Sequence, residues 1–519
     1  MPPNPKFYVT TPIYYVNDRP HIGHVYSTTV ADIIARHRRL TGHDVFFLTG
    51  TDEHAAKVSD AAAERGLTAQ AWADENAGAF QETFTRLGMT NNDFIRTSQP
   101  RHKTRVTAYT RQLMDCGDVY AGEYEGWYDA GQEEYVPENK AKEADFRSLI
   151  TGKPLVRKRE ANYFFKLSKY QDRLLKLIDH ENPTFVQPPA RRNEVLARIA
   201  EGLNDVPISR TGTGGWGIGM PGDSQQTIYV WIDALFNYLT TVDEDGRVKY
   251  WPADVHLIAK DILWFHAVIW PCMLMALDRP LPAQVYAHSF WIAEGQKMSK
   301  SLGNFIDLEK IDGYVADFGL DSLRYFLATE GPLGATDADF SNARFVEVYN
   351  ASLANTLGNC VSRITNMINR YCQGKVPPAD AGAEPSACRG AAGDCVARYA
   401  AAMDTLQLAA AAAAGFDLVR AIDGYIEHTQ PFKLAKDPSR SRDVGNVLYN
   451  CAETMRIASL LLWPILPTKI EKLWQRMGGG DYAKTLAGGG CGRLDQWCQW
   501  GQLQPGTPIA QGDALFPRA

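Results

Sequence analysis

The sequence predicts an α/β protein: a parallel sheet with covering helices, interrupted by a mainly β insertion and followed by an all-helical part. The chain opens on an aromatic and β-branched run, Lys6 to Thr11, then a Pro/Asn/Asp loop, then Val30, Ile33 and Ile34 at helical spacing. That order is strand, loop, helix. Gly42 closes the helix, and the apolar run Val45 to Leu48 reads as a second strand buried on both faces, as in a parallel sheet. Beyond about Phe345 strand patterns cease and helical spacing dominates, including the strongly helix-forming alanine run from Ala409 to Ala414.

Together these features predict a Rossmann-like βαβ opening and a separate helical bundle. Helical patterns continue to about Met114, and the aromatic, glycine-containing and acidic stretch from Tyr120 to Glu138 marks the insertion. Thr227 to Ile232 and Val255 to Ile258 read as returning strands, each followed by a helix. The expected boundaries are 1–115 and 224–290 for the two halves of the sheet domain and 116–223 for the insertion. A connecting region, 291–345, leads to the helical domain at 346–519. Val376 to Ser386 is expected to be a loop, and the glycines at 478–480 and 488–490 to mark turns. There is no internal repeat.

With 519 residues, the chain is long enough for two to four cores, and 45% hydrophobic with 22% charged residues is globular composition. The most apolar stretch, Ile262 to Leu277, is too short for a bilayer span and contains His266 and Pro271. No membrane segment is expected. The N-terminus lacks the basic and apolar regions of a signal peptide, so a cytoplasmic location is expected. Nine cysteines without any C-x-x-C pair offer neither a zinc knuckle nor a thioredoxin-type site. A net charge of -6 argues against indiscriminate nucleic-acid binding but allows a local basic surface.

Two motifs carry chemistry. His21-Ile22-Gly23-His24 places two imidazoles at a helix start, where free N–H groups and the helix dipole favour an anionic phosphate. Lys297-Met298-Ser299-Lys300-Ser301, flanked by Gly295 and Gly303, supplies two cations on a loop able to close over a polyphosphate. Either alone reads equally as a capped helix or a solvated basic turn. Their joint occurrence, early and late around an interrupted Rossmann pattern, resembles the paired signatures of the class I aminoacyl-tRNA synthetases.

That resemblance implies ATP binding through His21, Gly23, His24, Lys297, Met298, Ser299, Lys300 and Ser301, with His21, His24, Lys297 and Lys300 acting on the transition state. A carboxylate is already a nucleophile, so the chemistry requires alignment and charge neutralisation rather than a general base. Histidines and lysines suit that task.

Further segments resemble the methionyl-tRNA synthetase family. Thr11-Pro12-Ile13-Tyr14-Tyr15 and Gly50-Thr51-Asp52-Glu53-His54 match two amino-acid-binding segments, implying substrate contacts from Ile13 and Tyr15 and an ammonium contact from Asp52. Tyr229-Val230-Trp231-Ile232-Asp233-Ala234-Leu235 with Tyr238, and Lys260-Asp261-Ile262 with His266, match two more. Trp231, Ala234, Leu235, Tyr238, Ile262 and His266 would then surround methionine, whose polarisable thioether packs well on aromatic edges. Asp261 would bind the ATP ribose, and Arg210 would orient Asp52. This chain has Ala259 where the family commonly has glycine before Lys-Asp.

The resemblance also implies tRNA(Met), L-methionine and ATP with Mg2+ as partners. Asn359 and Arg363, one helix face apart by four residues, and Phe432, where tryptophan is common, would contact anticodon bases. The insertion is too short for a large editing domain, so homocysteine editing would occur at the synthetic site. Glu125 to Glu134 stands where relatives carry a zinc knuckle but has no thiol, which predicts a zinc-free insertion held by aromatic packing. Leu515-Phe516-Pro517-Arg518 looks like the family's end point before any appended domain, implying a monomer. The alternatives are another class I synthetase, a free nucleotidylyltransferase, or a catalytically inactive RNA-binding descendant.

Overall fold

In the computed structural model, residues 4–131, 134–136, 138–211, 215–298, 303–379, 386–487 and 492–518 are described. Six parallel strands form the central sheet: β1 (Lys6–Tyr15), β2 (Asp44–Asp52), β3 (Asp93–Arg96), β4 (Val186–Gln187), β5 (Val255–Ala259) and β6 (Val285–His288). Their spatial order is β3-β2-β1-β5-β6-β4. The chain winds outward from β1 through β2 to β3, then returns to the other side of β1 with β5. A cleft opens at the carboxyl ends of the strands where that winding reverses, between β1 and β5.

Strand periodicity assigns side chains to the two faces. Phe7, Val9, Val45, Phe47, Val255 and Leu257 join one core, which extends through α1 (Ile22–Leu40) into the helical part. Tyr8, Phe46, Leu48 and Ile258 join the other, under the insertion. Each fully buried large apolar side chain contributes about 1.5 to 3 kcal/mol, so both faces are firmly held. The near-continuous apolar runs of β1 and β2 follow directly from this double burial.

The structure departs from the sequence expectation at four strands: Thr227 to Ile232 is misassigned, and β3, β4 and β6 are not foreseen. Thr227 to Ile232 is not a parallel strand: Asp223–Ile228 pairs antiparallel with Ser209–Thr211, and Val230–Leu235 is helical. An apolar run of this length suits either element, and tertiary context decides. β3 is not foreseen because Asp-Phe-Ile-Arg is too short to show alternation.

The insertion builds a four-stranded antiparallel sheet from Val119–Asp129, Glu134–Val136, Val156–Phe165 and Val206–Pro207. Aromatic pairs hold it, with Trp127 against Phe146 at 4.5 Å and Tyr128 against Tyr135 at 5.1 Å. It also contributes helices and lends β4 to the edge of the central sheet.

Past Ala338–Phe340 the described chain is helical, with long helices at Asn359–Tyr371, Ala387–Asp404, Leu408–Thr429 and Ser441–Leu462. A buried ion pair ties it to the sheet domain. Arg324 donates to Asp32 of α1 at 2.7 Å and to the carbonyls of Pro464 and Ile465. No described helix is long and apolar enough to cross a membrane.

Candidate functional site

At the N-terminus of α1, His21 is the capping residue in extended conformation. Its Nδ1 accepts from the Gly23 N–H at 3.0 Å, while the His21 N–H donates to Nδ1 of His24 at 3.2 Å. Both Nδ1 atoms are therefore acceptors, and in the neutral rings the hydrogen sits on Nε2. Loss of surrounding water, then the neighbouring His21 ring, holds the His24 pKa well below its ordinary value. The motif thus presents N–H donors without full positive charge.

Gly23 is required by that arrangement: a Cβ there would lie 2.9 Å from Cε1 of the folded-back His21 ring. Tyr14 flanks His24 with ring centroids 4.7 Å apart and shares a 2.9 Å hydrogen bond with Thr28. The two rings of His21 and His24 are only 3.8 Å apart.

Asp52 ends β2 opposite Tyr15 of β1. Gly50, two residues earlier, lets the strands approach, since a Cβ would fall 2.0 Å from the Ile95 carbonyl oxygen. The next two residues are fixed by buried polar bonds. Glu53 accepts from Arg96 and Thr51, at 2.6 and 2.8 Å. Asp233 accepts from His54 Nδ1 at 2.6 Å and from His102 Nε2 at 2.7 Å, and His102 Nδ1 contacts Thr240. Burial alone would raise the Asp233 pKa, but His54 and His102 bring it down to about 2.

Facing Asp52, Trp231 stacks on Phe265 at 4.3 Å and meets the edge of Tyr15 at 5.8 Å. Ala259 ends β5, and Asp261 and Ile262 follow it. A cavity of about 560 Å³ joins these groups. Its walls include Ile13, Tyr15, Asp52, Trp231, Asp261 and Ile262 on one side and His21, Gly23 and His24 on the other. N–H donors, carboxylates and an aromatic wall thus share one cleft at the strand ends.

Four expected pocket residues do not face this open cavity. Ala234, Leu235, Tyr238 and His266 are buried behind Trp231 and Ile262, where Tyr238 and His266 bond to each other at 2.7 Å. The Arg210 guanidinium lies 4.0 Å over the Tyr229 ring and donates to the Ser209 carbonyl.

Lys297 is exposed on a short strand, Gln296–Lys297, paired with Ile292, and Met298 packs partly on the core. Ser299, Lys300 and Ser301 lie outside the described residues. The chain that follows returns to the first motif: the Ile22 N–H donates to the Ile306 carbonyl at 3.1 Å, and Phe305 meets His21 at 5.2 Å. The segment after the second motif therefore lies against the first.

The cavity also includes Lys57, Ser27, His288 and Phe305, which sequence reasoning does not single out. His288 ends β6, donates from Nδ1 to the Ser289 carbonyl and bonds Ser27 at 2.7 Å. Recognising β6 as a parallel strand would have pointed to its carboxyl end. In the helical part Asn359 is exposed, Arg363 is half-buried and pairs with Asp423 at 3.3 Å, and Phe432 is 40% exposed.

The family model described as tRNA synthetases class I (M) matches residues 7–144 and 138–365. The methionine–tRNA ligase of Bacillus subtilis is 40% identical over 532 residues, covering 99% of this chain and 78% of the relative. That of Caldanaerobacter subterraneus is 41% identical with the same coverage. Mycobacterium tuberculosis methionyl-tRNA synthetase in complex with methionyl-adenylate superposes with a TM-score of 0.90 at 36% identity, covering 99% of this chain and all of that one.

Proposed function

This chain belongs to the methionyl-tRNA synthetase family of class I tRNA synthetases, and from that premise we propose how its cleft joins L-methionine to tRNA(Met) with ATP. Methionine's carboxylate attacks the α-phosphorus of ATP, pyrophosphate leaves, and the resulting methionyl-adenylate passes its acyl group to a ribose hydroxyl of the tRNA 3′ end, releasing AMP. Mg2+ enters with ATP as part of the substrate.

The observation that carries the residue assignment is the tautomer of the first motif. Because both Nδ1 atoms accept, the ring hydrogens of His21 and His24 sit on Nε2, the atoms that donate to phosphate oxygens at the dipole-positive end of α1. Lys297 and Lys300 add charge from the second loop, and Asp261 takes the ribose. Ala259 also lines this cleft.

Asp52 holds the methionine ammonium, beside the Ile13 backbone and the Tyr15 ring. The side chain enters between Tyr15 and Trp231, and a shift of Trp231 off Phe265 opens the space in front of Ala234, Leu235, Tyr238, Ile262 and His266. In that state Arg210 leaves Tyr229 and orients Asp52. Asn359, Arg363 and Phe432 read the anticodon, by hydrogen bonds and by stacking. The chain acts as a monomer whose functional divisions follow 1–115, 116–223, 224–290, 291–345 and 346–519.

Aminoacylation of a tRNA(Met) transcript with labelled methionine tests the reading. Acid-precipitable label that depends on ATP, and that is lost when the transcript's anticodon is replaced, is the expected result. Charging indifferent to the anticodon would remove the roles given to Asn359, Arg363 and Phe432.

A further inference from the structure

The Asn359–Tyr371 helix carries Asn359, Arg363, Asn366 and Arg370 at spacings of four, three and four residues. At 3.6 residues per turn these side chains fall within an arc of about 60°, so they form one polar stripe. Asn366 and Arg370 lie on its solvent side. Arg363 is already compensated by Asp423, whereas Arg370 lies 5.5 Å over the Tyr371 ring.

Just past the helix end is a recess of about 810 Å³, lined in part by Tyr371, Lys375 and Arg442. Lys375 and Arg442 are both exposed there. Cations concentrated at one edge of a chain with net charge -6 call for an anionic partner, and an aromatic ring beside them suits a nucleic acid better than a protein.

We propose that the RNA surface continues beyond Arg363 along the same helix, with Asn366 and Arg370 leading to a phosphate-binding recess of Lys375 and Arg442 that holds the tRNA backbone next to the anticodon. This rests on the tRNA reading given above. These contacts are to phosphate, so they fix position and strengthen binding without reading bases.

The test is equilibrium binding of a tRNA(Met) transcript by the full chain across a salt series. It compares the wild type with Arg370→Gln, Lys375→Gln, the double variant and Arg370→Lys, each checked by thermal melting. Each lost cation should make the slope of log K against log salt shallower by about 0.7 to 0.9, and the double variant by about twice that. Arg370→Lys keeps the charge and should keep the slope. Wild-type binding with unaltered slopes in all Gln variants would overturn this inference and leave the tRNA reading intact. A shallower slope in Arg370→Lys would also contradict it, because that points to packing. No binding by the wild type would instead defeat the tRNA reading itself.

Discussion

The Tyr238 hydroxyl lies 2.7 Å from His266 Nε2, and the other ring nitrogen of His266 lies 3.0 Å from the Ile262 carbonyl oxygen. Because a carbonyl only accepts, Nδ1 of His266 carries the hydrogen, and Nε2 accepts from Tyr238. Burial lowers the His266 pKa to about 4, which keeps the ring neutral. The wall behind Trp231 and Ile262 is thus polar but uncharged, suited to a thioether and hostile to a charged side chain.

Tyr238→Phe removes the donor and leaves a buried Nε2 without its partner, a cost of about 1 to 3 kcal/mol. Thermal melting should register that loss, and the KM for methionine should rise more than the KM for ATP. Equal rises in both would show that the pair serves folding alone.

Arg324→Met tests the link between the sheet domain and the helices. It removes one of the two guanidinium partners of the fully buried Asp32 carboxylate, which Arg36 and Arg324 together hold well below the usual carboxylate range despite burial. Removing one partner of a buried pair costs about 3 to 5 kcal/mol. Denaturant unfolding should show that loss, and a change below about 1 kcal/mol would mean that Arg36 and Thr90 suffice for Asp32.

The buried histidines give stability a definite pH dependence. Burial lowers the pKa of His37 to about 3 and of His288 to about 4, as it does for His266, against an ordinary value of 6.5. Below about pH 6.5 the unfolded chain takes up protons that the folded chain refuses, so stability is complete above that pH and falls as pH drops toward 4. For each such ring the loss approaches about 1.4 kcal/mol for every pH unit below the unfolded pKa, until the folded ring itself protonates. Denaturation midpoints at pH 8, 6 and 5 should decline in that order; a flat profile would mean these rings are protonated in the fold.

Homocysteine should be activated appreciably. It lacks one methyl group, and a pocket of this kind separates such substrates by about 1 to 3 kcal/mol, or roughly 10- to 200-fold. Comparing kcat/KM in pyrophosphate exchange measures the ratio directly. Discrimination far above that range would require a polar contact to sulfur that the Tyr238 and His266 geometry does not suggest.

Much of this site is legible in sequence because its parts are local. His21, Gly23 and His24 form a capped helix start within four residues, and Asp52 lies just past an apolar run short enough for a buried strand. Asp233, His54 and His102 are not legible, since they meet across separations of 179 and 131 residues. The burial of Ala234, Leu235, Tyr238 and His266 is not legible in their spacing. Whether Tyr238 faces a cavity depends on how distant segments pack around it, which no spacing encodes. Thr227 to Ile232 fails as a parallel strand for a related reason: an apolar hexapeptide leaves its partner undetermined until the insertion folds.

Amino-acid-dependent ATP–pyrophosphate exchange is the most direct measurement, with methionine compared to cysteine, leucine, isoleucine and valine, and His24→Ala alongside the wild type. The account predicts exchange with methionine alone, lowered about 100- to 1,000-fold in the variant because one preorganised donor is lost from the transition state. Exchange with none of the five would contradict it, and so would methionine exchange that His24→Ala leaves at the wild-type rate.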